Sequence, residues 1–154
     1  APGGGVCDSV KGVPFAESSA VVPVKTEYLL IANRTVKKAQ QLARDFAAIG
    51  DVSACSFEAL RANQFDLIIN GTSASLAGEL PPLPSDALTA EGCCYDMMYS
   101  AGPTPFMRWG AENTAWAVSD GLGMLVEQAA ESFCIWRGVR PQTRPVIDAI
   151  REQL

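Results

Sequence analysis

The sequence predicts an α/β fold, a mostly parallel sheet with helices on its flanks. Three observations carry that prediction. From Thr26 onward, short apolar runs alternate with stretches of helical periodicity. The runs are apolar at consecutive positions, as strands covered on both faces require. Capping residues, glycines and prolines punctuate the joins between them.

Residues 1–25 do not share this pattern. Pro2-Gly3-Gly4-Gly5 opens a flexible start, and Pro14 and Pro23 interrupt any regular element. Val21, Val22 and Val24 could form a short edge strand, with Pro23 arguing against a central one. The first clear strand is Tyr28 to Ala32. Thr35 can cap the helix that follows, whose apolar stripe is Val36, Ala39, Leu42, Ala43, Phe46 and Ala47. Lys37, Gln40, Gln41 and Arg44 lie off the stripe, and Gly50 ends the helix. Val52 to Cys55 is a second strand, Ser56 caps a short helix through Arg61, and Phe65 to Asn70 is a third strand. A Gly/Ser/Pro-rich loop covers roughly residues 71–85. Cys93 to Met97 is the next strand. Thr104-Pro105 pairs a cap with a first-turn proline for a helix near residues 105–112. Ala115 to Val118 is the last strand. Asp120 caps a long helix to about Arg137, Pro141 breaks the chain, and a terminal helix spans about residues 145–153.

Composition narrows the function. The chain has 154 residues, 48% hydrophobic, enough for one domain with its own core. Charged residues make up 19% and the net charge is -5, which argues against nucleic-acid or membrane binding through bulk charge. The apolar stretch from Gly121 to Trp136 is interrupted by Glu127, Gln128 and Glu131, so it does not read as a membrane span. No secretory signal is visible. The five cysteines include no C-x-x-C pair, and there is no histidine, which argues against zinc. Cys93 and Cys94 sit in an apolar run and read as buried reduced thiols, suited to a reducing cytoplasm. Any acid or base must be Asp, Glu, Lys, Tyr or Cys.

Ligands of such sheets bind outside the carboxyl ends of the strands, and three strand ends here carry candidates. Asn33-Arg34-Thr35 follows the first clear strand, where a dinucleotide fold meets the adenosine ribose. No acid is present to hold a 2′-hydroxyl. Arg34, with Lys38 one turn on, makes a clamp for a 2′-phosphate at a helix N-terminus. Solvated cations on an exposed helix start would look the same. Asn70-Gly71-Thr72-Ser73 offers small polar residues that can approach a cofactor, or an ordinary polar loop. Asp120-Gly121-Leu122-Gly123-Met124 heads the long helix. Gly121, Met124 and Gln128 share one narrow face beside the apolar face of Leu122, Leu125, Val126, Ala129 and Phe133. Gln128 can therefore point into a cleft, or simply into solvent.

Taken in order, these segments resemble a known family. Asn33-Arg34-Thr35, Phe65-Asp66-Leu67-Ile68-Ile69-Asn70-Gly71-Thr72-Ser73 and Tyr95-Asp96-Met97-Met98-Tyr99 come first. Thr104-Pro105-Phe106 and the run Asp120 to Ala130 follow. The series, over about residues 26–154, is similar to the C-terminal half of shikimate dehydrogenase. The resemblance implies a Rossmann-like NADP-binding domain ending in hinge helices. The family reduces 3-dehydroshikimate to shikimate with NADPH in aromatic amino-acid biosynthesis. It assigns Asn33, Arg34, Thr35 and Lys38 to the 2′-phosphate, and Thr72 and Ser73 to a loop passing the cofactor. Met97 and Gly121 fall beside the nicotinamide, and Tyr99 and Gln128 reach the substrate.

Two departures qualify what is expected. In the family, a separate N-terminal domain supplies the catalytic Lys–Asp pair, and nothing before residue 26 resembles it. The first Rossmann strand and its glycine loop are missing or altered. Ala1-Pro2-Gly3-Gly4-Gly5-Val6 can be read as a remnant of that loop, although it lies about 30 residues before Asn33 where ~20 is usual. Without strand 1, two inner sheet edges lose their neighbour. Either another segment such as Ala20 to Val24 fills the slot, or the fragment is unstable or associates through those edges. The expectation is thus a fragment inactive alone. The alternatives are a quinate/shikimate dehydrogenase using NAD and a non-catalytic nucleotide-binding module.

Overall fold

In a computed structural model of the chain, residues 26–61 and 63–154 are described. Among them the strands are β1 (Leu29–Ala32), β2 (Val52–Cys55), β3 (Phe65–Asn70), β4 (Leu88–Asp96) and β5 (Ala117–Ser119). The helices are α1 (Val36–Phe46), α2 (Pro105–Glu112), α3 (Leu122–Arg137) and α4 (Arg144–Gln153), with single 3₁₀ turns at Glu58–Leu60 and Ser73–Ala77. The alternation of strand and helix is the predicted one, and every strand pair is parallel.

The strands fall into two sheets, β1-β2 and β3-β4-β5. Among the described residues no strand joins them. The apolar runs read as covered on both faces, yet Leu67 and Ile69 of β3 are 41% and 55% exposed, and Leu29 of β1 is exposed too. A contact between the Tyr28 and Phe65 rings, centroids 6.4 Å apart, links the entries of β1 and β3. The expected edge strand around Val21 to Val24, the slot-filling Ala20 to Val24 and the glycine-loop remnant lie outside the described residues.

The core sits under β3-β4-β5. Ala87, Leu88, Cys94, Phe106 and Trp109 form a buried cluster, with Phe65, Ile68, Leu83, Ala115 and Val118 packed against it. Phe106 and Trp109, three residues apart on α2, stack at 5.7 Å and turn that helix onto β4 and β5. α3 buries Leu122, Val126 and Ala130, an i, i+4, i+8 stripe, while Leu125 and Phe133 stay exposed. It ends at Gly138, whose φ of 71° and bond to the Cys134 carbonyl make a left-handed cap. α1 buries only Ala39 and Ala43; Leu42 and Phe46 of its predicted stripe are exposed.

Two local expectations need correction. β4 begins at Leu88, not Cys93. Its pairing with β3 slips between Phe65↔Leu88 and Leu67↔Cys93, so Thr89 to Gly92 bulge out and break the apolar signal. Gly92 is needed there, because a Cβ would lie 2.9 Å from the Phe65 carbonyl oxygen. Thr35 occupies the N-cap of α1 but its side chain caps nothing; the Asn33 carboxamide oxygen accepts from the Thr35 amide instead, at 2.8 Å. Cys93 and Cys94 are both buried, as the apolar run predicts, and Cys94 is a free thiol.

Candidate functional site

Parallel strands β3, β4 and β5 end side by side, with registers Asn70↔Asp96 and Tyr95↔Ser119. Their carboxyl ends therefore bring Asn70, Asp96 and Asp120 to one edge of the sheet. All three are buried, and all three are hydrogen-bonded, as burial of such groups demands. The Asn70 amide donates to Asp96 Oδ1 at 3.2 Å, while its oxygen accepts from the Thr72 amide at 3.1 Å and the Thr72 hydroxyl at 2.8 Å. Asp96 Oδ1 also accepts from the Met98 amide at 3.1 Å, and Oδ2 accepts from the Thr104 hydroxyl at 2.6 Å. Thr104 in turn caps α2 by accepting from the Met107 amide at 3.2 Å, with Pro105 in the first turn as predicted.

This network fixes the turn that leaves β4. The Met97 amide donates to the Asn70 carbonyl at 3.0 Å, and the Gly121 amide donates to the Met98 carbonyl at 3.0 Å. Met97 lies between two glycines. A Cβ on Gly71 would sit 3.1 Å from the Met97 sulfur, and one on Gly121 only 2.1 Å from the Met97 carbonyl oxygen. Only glycine fits at 121 with this backbone. The sequence singled out Met97 and Gly121 separately; the fold puts them in contact, with the Met97 side chain 42% exposed.

Asp120 anchors the head of α3. Its Oδ1 accepts from the Leu122 amide at 3.3 Å, close to the predicted capping role although Gly121 is the N-cap residue. Arg151 of α4 grips the same carboxylate with two bonds of 2.8 Å and donates to the Ser100 carbonyl at 3.3 Å. Those bonds hold the Arg151 guanidinium more firmly protonated than usual. Tyr95 is half-buried nearby. Desolvation, and then the Asp120 charge, push its phenol above the ordinary range against a bond from the Met124 backbone.

The remaining predicted residues lie elsewhere. Asn33, Arg34, Thr35 and Lys38 belong to the β1–α1 join, on the other sheet, with Arg34 and Lys38 exposed. Ser73 opens the 3₁₀ turn after β3 and is exposed, and Thr72 is half-buried on Asn70. Tyr99 is exposed in the turn after β4, and Gln128 is exposed on the second turn of α3. The sequence reading missed Arg151, whose partner is 31 residues away. It also missed the structural work of Asp96, although an acid closing an apolar strand is a visible anomaly. No helix among the described residues is long and apolar enough to cross a membrane.

Comparison with known proteins agrees with this geometry. Residues 121–151 match the model of the shikimate 5'-dehydrogenase C-terminal domain. The chain is 57% identical over 129 residues to a shikimate dehydrogenase (NADP(+)) of Methylococcus capsulatus, covering 84% of this chain and 46% of that one. It is 54% identical over 147 residues to the protein of the same name from Thioalkalivibrio sulfidiphilus, covering 96% and 52%. The chain thus spans about half the length of the curated relatives it matches. Among solved structures, an Ael1 enzyme from Pseudomonas putida superposes with a TM-score of 0.71 at 45% identity, over 80% of this chain and 45% of the other. A shikimate 5-dehydrogenase from Thermus thermophilus, solved in complex with NADP(H) and shikimate, gives 0.67 at 29% identity, over 81% and 46%. In sequence and in fold this chain is thus similar to one half of the shikimate dehydrogenases, and residues 121–151 match their C-terminal domain.

Proposed function

We propose that this chain is the NADP-binding portion of an enzyme that reduces 3-dehydroshikimate to shikimate with NADPH. The observation that carries the reading is the 57% identity over 129 residues to a protein named for that activity and that cofactor. Residues 26–154 form the nucleotide-binding domain with its C-terminal hinge helices, and residues 1–25 are a segment of atypical sequence. The enzyme acts in the cytoplasm, in aromatic amino-acid biosynthesis.

The residues present fit the cofactor. Arg34 and Lys38 are exposed cations at the start of α1, and the first turn of that helix contains no acid to repel a phosphate. A planar guanidinium can take two phosphate oxygens at once, and the Lys38 ammonium adds a second charge. Asn33 and Thr35 shape the turn that carries them, and Thr72 and Ser73 line the next strand end. Met97 and Gly121 place the nicotinamide, and Tyr99 and Gln128 contact the substrate. When bound, the cofactor supplies the hydride for the carbonyl carbon of the substrate. The family's Lys–Asp pair handles the proton, and we assign no residue of this chain to that role. Among the described residues β1 and β3 each have an unpaired edge, which favours self-association.

A titration tests the cofactor assignment. The chain should bind NADP(H) more tightly than NAD(H), and Arg34→Asp should remove or reverse the preference by placing an acid against the 2′-phosphate. Tighter binding of NAD(H) by the unmutated chain would overturn the assignment. Shikimate oxidation should be absent from the 154-residue chain alone, and measurable turnover would refute the division of labour.

A further inference from the structure

We propose that Asp96 is a positioning residue, whose carboxylate holds the turn from Met97 to Thr104 where it can support the nicotinamide. The proposal deepens the function proposed above and rests on it for the identity of the ligand. Its geometric part stands on Asp96 alone.

Asp96 is the last residue of β4 and is 0% exposed. An acid so placed touches neither solvent nor a surface ligand, so its function must pass through its neighbours. Three donors converge on it from two segments: the Asn70 amide at the end of β3, and the Met98 amide and Thr104 hydroxyl at the two ends of the turn. Both ends of the segment 98–104 are therefore tied to one carboxylate. Met97, between Asp96 and the first tie, is fixed by the Asn70 carbonyl, and Asn70 is itself held by Asp96. The contact of Met97 with Gly121 allows no slack, since even a methyl group at 121 would overlap it. A small displacement of the turn is thus transmitted to the head of α3. Acceptor geometry explains why the residue is an acid. Oδ1 serves two donors and Oδ2 a third, a demand that an aliphatic residue meets nowhere.

The test compares Asp96→Ala with Asp96→Asn. The alanine leaves three donors without this acceptor. The asparagine can keep its oxygen toward Asn70 and Met98 and donate its amide to the Thr104 oxygen, so it should rescue most of the loss. Amide exchange is measured in the full chain, and the emission of NADPH is read at saturating protein. In D96A, exchange across residues 97–104 should rise roughly tenfold with β3 unchanged, as expected for losing buried hydrogen bonds. The emission of bound NADPH should move toward that of the free cofactor. D96N should stay near wild type in both. General destabilisation would lower the amount bound but not the signature of the bound fraction. If D96A does not fold, Thr104→Val removes the 2.6 Å bond to Asp96 together with the α2 cap on the Met107 amide, and exchange across residues 97–104 should still rise, at smaller size. Wild-type exchange and emission in D96A, or exchange rising equally in β3, overturns the proposal. If the wild-type chain takes up no NADPH, the cofactor reading fails, and the exchange measurements still decide whether Asp96 positions the turn.

Discussion

The β1-β2 half and the β3-β4-β5 half are built from similar strands yet differ in how much they bury. The first half has α1 on it and buries Ala39 and Ala43 of that helix, with Leu60 from the following turn. The second buries Phe106, Trp109, Leu122 and Cys94 together with Asn70, Asp96, Thr104 and Asp120. The candidate residues divide the same way. The cations proposed for recognition, Arg34 and Lys38, stand exposed on the thin half. The turn proposed to support the nicotinamide stands on the dense half. Packing density there is what turns a local hydrogen bond into a fixed position.

The largest effect that could break this comparison is in the core. Phe106→Ala should cost about 3–5 kcal/mol of stability, the usual range for emptying a fully buried aromatic site. Phe46→Ala, on α1 of the thin half and 48% exposed, should cost no more than about 1 kcal/mol. Urea denaturation of the two variants measures both. Equal losses would mean that α1 owns a buried face and that the two halves are alike.

The same asymmetry explains what the sequence reveals. Val52–Cys55, Phe65–Asn70 and Pro105–Glu112 are legible to the residue, because apolar runs and a Thr-Pro start are local signals. The start of β4 is not, since the bulge at Thr89 to Gly92 puts polar residues and a glycine inside a strand. The runs in β1 and β3 correctly report strands but not their cover. Apolarity records what a segment prefers, and Leu67 and Ile69 are exposed all the same. At the site, Met97 and Gly121 are visible as members of a familiar series, whereas their contact is not. Nor does spacing reveal that Arg151 reaches back 31 residues to Asp120.

A glycine in each half gives the next sharpening. Gly121→Ala forces a methyl group to 2.1 Å from the Met97 carbonyl oxygen, so backbone must move. Overpacking of that kind should cost about 1–3 kcal/mol. It should also shift the amide resonances of Met97 and Met98. Gly50→Ala, after α1, meets nothing within 4 Å and should change stability by no more than about 0.5 kcal/mol. A near-neutral Gly121→Ala would show that the Met97 turn is soft and that the dense half does not fix it.

The smallest expected effect concerns a thiol in each half. Burial raises both Cys55, at the end of β2, and Cys94, in the core, but Cys94 goes from 9.0 to about 12. A raised value means the folded state keeps a proton that the unfolded chain loses first. The stabilisation is therefore fully present below pH 9 and is lost as the pH climbs toward 12, with a slope approaching about 1.4 kcal/mol per unit. Tyr95, also raised, adds a loss of the same sign beginning above its ordinary value of 10.0. Cys94→Ser removes the first contribution and should flatten the stability profile just above pH 9. Below that range, maleimide labelling with peptide mapping should modify half-exposed Cys55 readily. Cys94 should react only as fast as its half opens. Were Cys94 to label as quickly as Cys55, the core under β4 would be opening as freely as the thin half, and burial alone would not set the two apart.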